Sequence, residues 1–460
     1  MQAWGRVIIQ KFLYNTLLLS CLTLSVACGG APTPPTTAGA VTSVSELPPS
    51  SELAGPVPQY RLEPRHRGIS PQGTQVDSTL SFSWKTEPLN IGSYPASRSS
   101  PAVDEAAIYI GADDGQLYAL NREDGSTLWT FKTRRYEVEM AKKAKRAKKT
   151  KKVKKAKRAR YYEYENHGIH GTPAFDHEYV YIGDYSGWMY ALDKKTGWMK
   201  WEHKLGGSIG ASPTLFEGKI FISVEYGKPD GKIFVLDAED GEELYSTNYL
   251  GQHPHSSTSI DPSRGYMFVG ANNGVFFCFD YVKKAEVWRY ETGGAIKSTA
   301  AVTDDTVFIT SWDRKIHAIN IETGDLVFEY EIGGKSMSSP SYHNGRVYFG
   351  SHDGALYAVN ALNGELVWKF DTGQGIISSP TIVQDADLVL IGSSNGRLYG
   401  LALKDGAELW RINFGSEITS VPVAVARSLL VNDQSGVVWR FDALPSADAE
   451  SVRWPDDYNG

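Results

Sequence analysis

The sequence predicts an all-β fold, an eight-bladed β-propeller of four-stranded antiparallel blades, and three observations carry that reading. A unit of about 40 residues recurs along the chain. Each unit reads as four short β-rich runs bounded by Gly, Asp and Asn turns. The repeat opens on a lone strand and ends on an incomplete unit, which is how a ring closes and removes its exposed edges.

Blade one reads SPAVDEAAIYIGADDGQLYALNREDGSTLWTF from Ser100 to Phe131. Blade six runs from Ser338 to Phe370 and blade seven from Ser378 to Ile412 with the same layout. The consensus is Ser-Pro, a turn, Val-Tyr-Ile-Gly, a turn ending in Gly, Leu-Tyr-Ala-Leu-Asn/Asp, a turn with Gly, then a strand bearing Trp. Fourth-strand aromatics set the period: Trp129, Trp201, Tyr245, Trp288, Phe328, Trp368 and Trp410. From Tyr245 onward the gaps are 43, 40, 40 and 42, a propeller period. The gap from Trp129 to Trp201 is 72, which places an insertion at about 137–165 between two blades. The last unit, Ser420 to Leu444, has three strands, and Ser78 to Glu87 supplies the missing fourth with Trp84. The propeller is thus expected over 78–444, with a short tail at 445–460.

The stretch YALDKKTGWMKW, Tyr190 to Trp201, resembles the pyrroloquinoline-quinone-type repeat, and Ala318 to Phe328 and Ala358 to Trp368 are similar. The resemblance covers nearly all of 78–444. It implies that Trp84, Trp129, Trp201, Trp288, Trp368 and Trp410 lock neighbouring blades together. It is specific for fold and weakly specific for function.

The first 27 residues read as a signal peptide. Arg6 and Lys11 form a positive start, FLYNTLLLSCLTLSVA an apolar run, and Leu24-Ser25-Val26-Ala27 leads into Cys28. Small residues before a Cys resemble a bacterial lipoprotein signal, which implies lipidation at Cys28; Cys21 fits the same pattern more loosely. Gly29 after that Cys implies the outer membrane. Residues 28–77, rich in Pro, Thr and Ser, are expected to form a disordered tether. Cys278, the remaining Cys, has no partner for a disulfide within the propeller.

The net charge of −6 hides an asymmetry. Thirteen bases lie within 141–160: Lys142, Lys143, Lys145, Arg146, Lys148, Lys149, Lys151, Lys152, Lys154, Lys155, Lys157, Arg158 and Arg160. Without them the chain stands at −19. Such a run is either a solvated loop or a site for an anionic surface, lipid phosphate or cell-wall polymer. Nucleic acid suits the charge but not an exported protein.

Signal, tether and eight-bladed repeat together resemble the BamB-like family of outer-membrane assembly lipoproteins. That resemblance implies a lipid-anchored, non-enzymatic scaffold facing the periplasm of a Gram-negative bacterium, with the barrel-assembly core protein as partner. Two alternatives stand beside it: a periplasmic or surface repeat protein with an unknown ligand, and a quinoprotein dehydrogenase. The chain lacks the adjacent Cys pair of the quinoprotein alcohol dehydrogenases, and its acids fall mostly in turns such as Asp113-Asp114 and Asp304-Asp305. A quinone-bound Ca²⁺ needs several converging oxygen ligands. The expectation is therefore no enzyme, no cofactor and no catalytic residue. His167, His170, His253 and His255 lack a third spaced ligand and read as loop residues, so no metal site is assigned.

Overall fold

The computed structural model describes residues 59–61, 63–77, 80–89, 99–134, 168–227 and 230–443. Alternating β-branched and aromatic residues form thirty-two strands, which pair into eight separate four-stranded sheets. In blade one the strands are Ala102–Val103, Ala107–Gly111, Gln116–Asn121 and Thr127–Lys132, in that order from the axis outward. Blades two to seven repeat this meander. In blade eight Leu80–Lys85 pairs antiparallel with Val438–Ala443 and becomes the outermost strand. The ring closes as the incomplete last unit requires.

The second and third strands are buried on both faces, as in Ile108–Tyr109–Ile110 and Leu117–Tyr118–Ala119. Each core cluster spans two adjacent blades, so no blade buries its faces alone. A bulge recurs beside the fourth-strand aromatic, for example at Ala119/Leu120 opposite Trp129 and at Ala358/Val359 opposite Trp368. The small residue of the Leu-Tyr-Ala-Leu motif faces the indole across the pair: Ala191 faces Trp201 and Cys278 faces Trp288. Cys278 is fully buried there, and burial pushes its thiol pKa well up.

The indoles dock outward onto the next blade. The Nε1 of Trp84, Trp129, Trp201, Trp288 and Trp368 donates to the carbonyls of Arg122, Lys194, Ala238, Ile321 and Leu403 respectively, at 2.9–3.1 Å. The turn beneath each ring needs Gly: a Cβ on Gly197 would sit 2.6 Å from the Trp129 indole, and its φ is +71°. Trp410 differs. Among the described residues no turn follows the third strand of blade eight to offer that indole a carbonyl, and its buried Nε1 has no acceptor. Trp410 packs against the cluster of the last two blades and lies directly over Gly400 of its own blade.

The tether expected through residue 77 does not extend over 59–76. Gln59, Arg61, His66, Ser70, Thr74 and Val76 are all buried. Their burial rests on backbone pairing with strand edges at the axis, which a composition rich in Pro and Arg does not announce. The rest of that tether, with Cys28, and the whole basic segment lie outside the described residues.

Candidate functional site at the propeller axis

Each innermost strand is entered through a Ser- or Thr-containing step, and these hydroxyls link the blades around the axis. The amide of Ser100 donates to Thr172 Oγ1 at 2.9 Å, Thr172 to Ser212 Oγ at 2.9 Å, and Ser212 to Ser257 Oγ at 3.0 Å. Ser257 continues to Thr299 at 3.2 Å, Thr299 to Ser339 and Ser339 to Ser379 at 2.9 Å. Val421 donates back to Ser100 Oγ at 2.9 Å. Only the step from Ser379 to Val421 has no hydroxyl to receive it. The small residues at these positions therefore stitch the ring in addition to relieving crowding.

One end of the axis is formed by the inter-blade connections and the second-to-third-strand turns. Just before the innermost strand of blades two to eight a buried residue, such as Ile296 or Ile376, is followed by a half-buried one. The repeat places the latter around the opening: His170, Gly210, His255, Lys297, Met337, Ile377 and Thr419. His255 Nδ1 lies 2.5 Å from Glu225 Oε1, and His253 Nε2 lies 2.8 Å from the Tyr226 carbonyl. His170 packs at a tilt against Tyr185, with ring centroids 4.8 Å apart, and approaches Asp113 at 3.4 Å. Trp312 lies between two ammonium groups, Lys297 at 4.5 Å and Lys335 at 4.1 Å, and its Nε1 is buried without an acceptor. Below it His317 bridges Tyr290 and Asp313, each at 3.0 Å, and this hydrogen bonding outweighs burial to lower the Asp313 pKa. In other blades Tyr holds an acid of the same turn, as Tyr190 does with Asp184 and Tyr357 with Asp353, so His317 acts as a turn lock.

The other end, formed by the first-to-second-strand turns, is filled by residues 59–76. Carbonyls of Pro64, Arg65, Arg67 and Gly68 accept from the amides of Ile260, Val302, Tyr342 and Ile382 at 2.8–3.1 Å. Gln59 accepts from the amide of Leu215 at 2.8 Å. The Arg61 guanidinium donates to the Pro340 and Pro380 carbonyls and to Ser341 Oγ. Among the described residues no carboxylate lies within ion-pair distance of it, and burial lowers its pKa to about 10. His66 Nε2 lies 3.1 Å from both Thr214 Oγ1 and the Thr258 carbonyl; burial and Arg61 depress its pKa to about 3. Arg65 bridges Asp261 and Asp304 at 3.1 and 2.7 Å. Seated, the segment leaves a cavity of about 10 Å³ on the axis beside Ser100 and Thr172.

The predicted docking Trp residues thus lie on the rim, away from both ends. Arg61, His66 and the Trp312 group are functional candidates that sequence reasoning missed. For Trp312 a signal existed: its turn carries Arg314, at φ +68°, where the repeat calls for Gly. For the segment there was none beyond Pro and Arg in an otherwise featureless run.

Fold and axis together define a closed propeller whose chemistry lies at the two ends of a central channel. The family described as outer membrane protein assembly factor BamB matches residues 77–161, 151–276 and 272–443, and the chain belongs to it. The chain is similar to a polyvinylalcohol dehydrogenase from a Pseudomonas species, 24% identical over 39% of this chain and 30% of that protein. It spans about a third of the length of the curated relatives it matches. Among solved structures, BamB from Moraxella catarrhalis superposes with a TM-score of 0.59 at 19% identity, covering 79% of this chain and 97% of that one. Quinohemoprotein alcohol dehydrogenase from Comamonas testosteroni reaches 0.68 at 14% identity, covering 87% and 82%.

These likenesses overturn the expectation that the chain is no enzyme. That exclusion rested on the missing adjacent Cys pair and on acids that fall mostly in turns, whereas the dehydrogenase overlays more of this chain than BamB does. The physical reason is that the repeat specifies blades and rim docking, which leave the axis free to carry either role. The quinone and Ca²⁺ that the dehydrogenase fold implies can be tested against the donor set. Among the described residues no three His, Cys, Asp or Glu side chains converge to hold a metal ion, and the filled end leaves no space for a multi-ring quinone. The described axis does not fit that group, and no step is derived through it.

Proposed function

We propose that this chain is a protein-binding propeller of the outer-membrane assembly class, which meets its partner with the axial end that carries Trp312. The observation behind this reading is the Trp312 group itself: a half-buried indole with an unused N–H, held between two lysines. Trp is among the residues that carry most of the binding energy at protein interfaces. In this reading Cys28 carries the lipid, the propeller faces the periplasm, and the partner is the barrel-assembly core protein. In the sequence the basic run from Lys142 to Arg160 lies between the outermost strand Thr127–Lys132 and the next innermost strand, Ala174–Phe175. We assign it to an anionic surface.

Affinity capture from detergent-solubilised envelope tests the proposal. Recovery of the barrel-assembly core, reduced at least about tenfold by Trp312→Ala, is the expected result; that loss corresponds to about 1.4 kcal/mol at a single anchor. Unchanged recovery in the variant would move the interface elsewhere. The match to polyvinylalcohol dehydrogenase favours a second reading, an oxidoreductase. Dye reduction after incubation with quinone and Ca²⁺, above that of protein without quinone, establishes it.

A further inference from the structure

Each innermost strand turns one edge to the axis, where no other blade pairs with it. Unpaired edges are templates for added chain. At the end filled by residues 59–76 those edges are in use, yet the occupant belongs to none of the eight sheets. Its main chain supplies carbonyls to four strands and draws two bonds back, from the Ser70 amide to the Ile382 carbonyl at 2.8 Å and from the Gln75 amide to the Ala426 carbonyl at 2.6 Å. Its one deeply inserted cation is held by neutral oxygens from two blades, a cage that selects a guanidinium by its planar spread of donors.

The seating is polar. Among its described residues only Ile69 and Val76 pack into blade clusters. Arg61 and His66 have φ of +59° and +52°, a conformation that costs non-Gly residues. Gly68 at φ +68° has no room for a side chain: a Cβ would sit 2.5 Å from Arg61 Nη2 and 2.6 Å from Ser341 Oγ. The strands of each blade meanwhile pair among themselves and the blades dock through their own rim, so the sheets are complete without the segment.

We propose that residues 59–76 are a detachable plug, and that the axial end they close is a binding site for an extended, arginine-bearing peptide held shut by the chain's own segment. This goes beyond the protein-binding reading above: it concerns the opposite end of the axis, and its test needs no envelope partner.

Native-state hydrogen exchange on the full chain is the first measurement. The amides of Ile260, Val302, Tyr342 and Ile382 are expected to exchange at least about tenfold faster than those of the second and third strands, through an opening shared with residues 63–76. Exchange of all of them only on global unfolding overturns the proposal, because the segment is then a fixed part of the fold. The second measurement uses full-chain Arg61→Ala and Gly68→Ala variants and a fluorescent peptide of residues 59–77. Both variants are expected to lose protection at the four amides and to bind the peptide at least about tenfold tighter than the wild-type chain, whose site is filled in cis. Variants that keep wild-type protection, or that expose the four amides and bind no peptide, both refute it. Should either variant fail to fold, the wild-type exchange pattern alone decides.

Discussion

The rim and the axis of this ring solve the same problem, joining eight blades, with opposite chemistry. At the rim an indole covers a Gly turn of the next blade, and most of the contact is apolar area with one hydrogen bond from Nε1. At the axis, hydroxyl oxygens receive amides from the preceding blade, and one end is closed by a guanidinium among carbonyls. Apolar burial is non-directional and large per residue, whereas each neutral hydrogen bond adds only about 1 kcal/mol net. The rim is therefore where stability resides. The axis is where groups can exchange partners at low cost.

The strongest way to break this contrast is at the rim. Trp201, nearly buried and donating to Ala238, is expected to cost about 3–5 kcal/mol as Trp201→Ala, through the cavity and the lost bond. Urea unfolding followed by far-UV signal measures it. A loss under 1 kcal/mol would mean that the ring is held chiefly from inside.

The contrast also explains what could be read beforehand. The blades were legible because the alternation in runs such as AIYIG, the Gly turns and the Trp spacing all arise from the rim and sheets, where identity repeats. Closure was legible because Trp84 and the truncated last unit each lacked what the other has. The axis was not. PQYRLEPRHRGIS has no periodicity, and its burial depends on meeting strand edges contributed by blades hundreds of residues away. Trp410 looked equivalent to the other docking residues, because the lack of a partner turn among the described residues leaves its local sequence unchanged.

Acid separates the two regions next. His66 is seated neutral, with a pKa near 3 against about 6.5 when exposed. Above pH 6.5 both forms are neutral and seating is at full strength. As pH falls from 6.5 towards 3, the unseated His66 takes a proton that the seated one cannot, so seating weakens by about 1.4 kcal/mol per pH unit. The groups facing His66 are Tyr60 and Arg61 on its own segment and Thr214 and Thr258 on the blades, and the one cation among them reinforces the effect. Between pH 7 and pH 5 the plug should lose about 2 kcal/mol while the rim holds. Tryptic cleavage at Arg61, Arg65 and Arg67, compared with fourth-strand sites, reads this out. Cleavage independent of pH counts against it.

A smaller effect is expected in the hydroxyl ring. Thr172→Val leaves the buried Ser100 amide without its acceptor and should cost about 1 kcal/mol of global stability, with no change in plug protection. A shift in exchange at Ile260 or Ile382 in that variant would show that ring and plug act as one unit.

The smallest effect sharpens the rim itself. Between blades three and four the docking pair is replaced: Tyr245 stands where six other blades have Trp and blade five has Phe328, and Lys284, at φ +58°, stands where the partner turn has Gly. The Lys284 ammonium donates to the Leu244 carbonyl at 3.1 Å and lies 5.9 Å from the Tyr245 ring. A surface groove of about 590 Å³ opens at this joint, with Val282 exposed beside it. Restoring the consensus with Tyr245→Trp and Lys284→Gly relieves a left-handed Lys, but it also returns backbone freedom to the unfolded chain, and these two terms nearly cancel at about 1 kcal/mol each. What remains is the new indole bond, for which the Tyr281 carbonyl occupies the position of the acceptors used elsewhere. The double variant should therefore gain somewhat under about 1 kcal/mol, and neither single change should gain on its own. Additive single effects would show that the motif is two independent preferences, and the account of the rim as a coupled lock would fail at the joint where it is easiest to test.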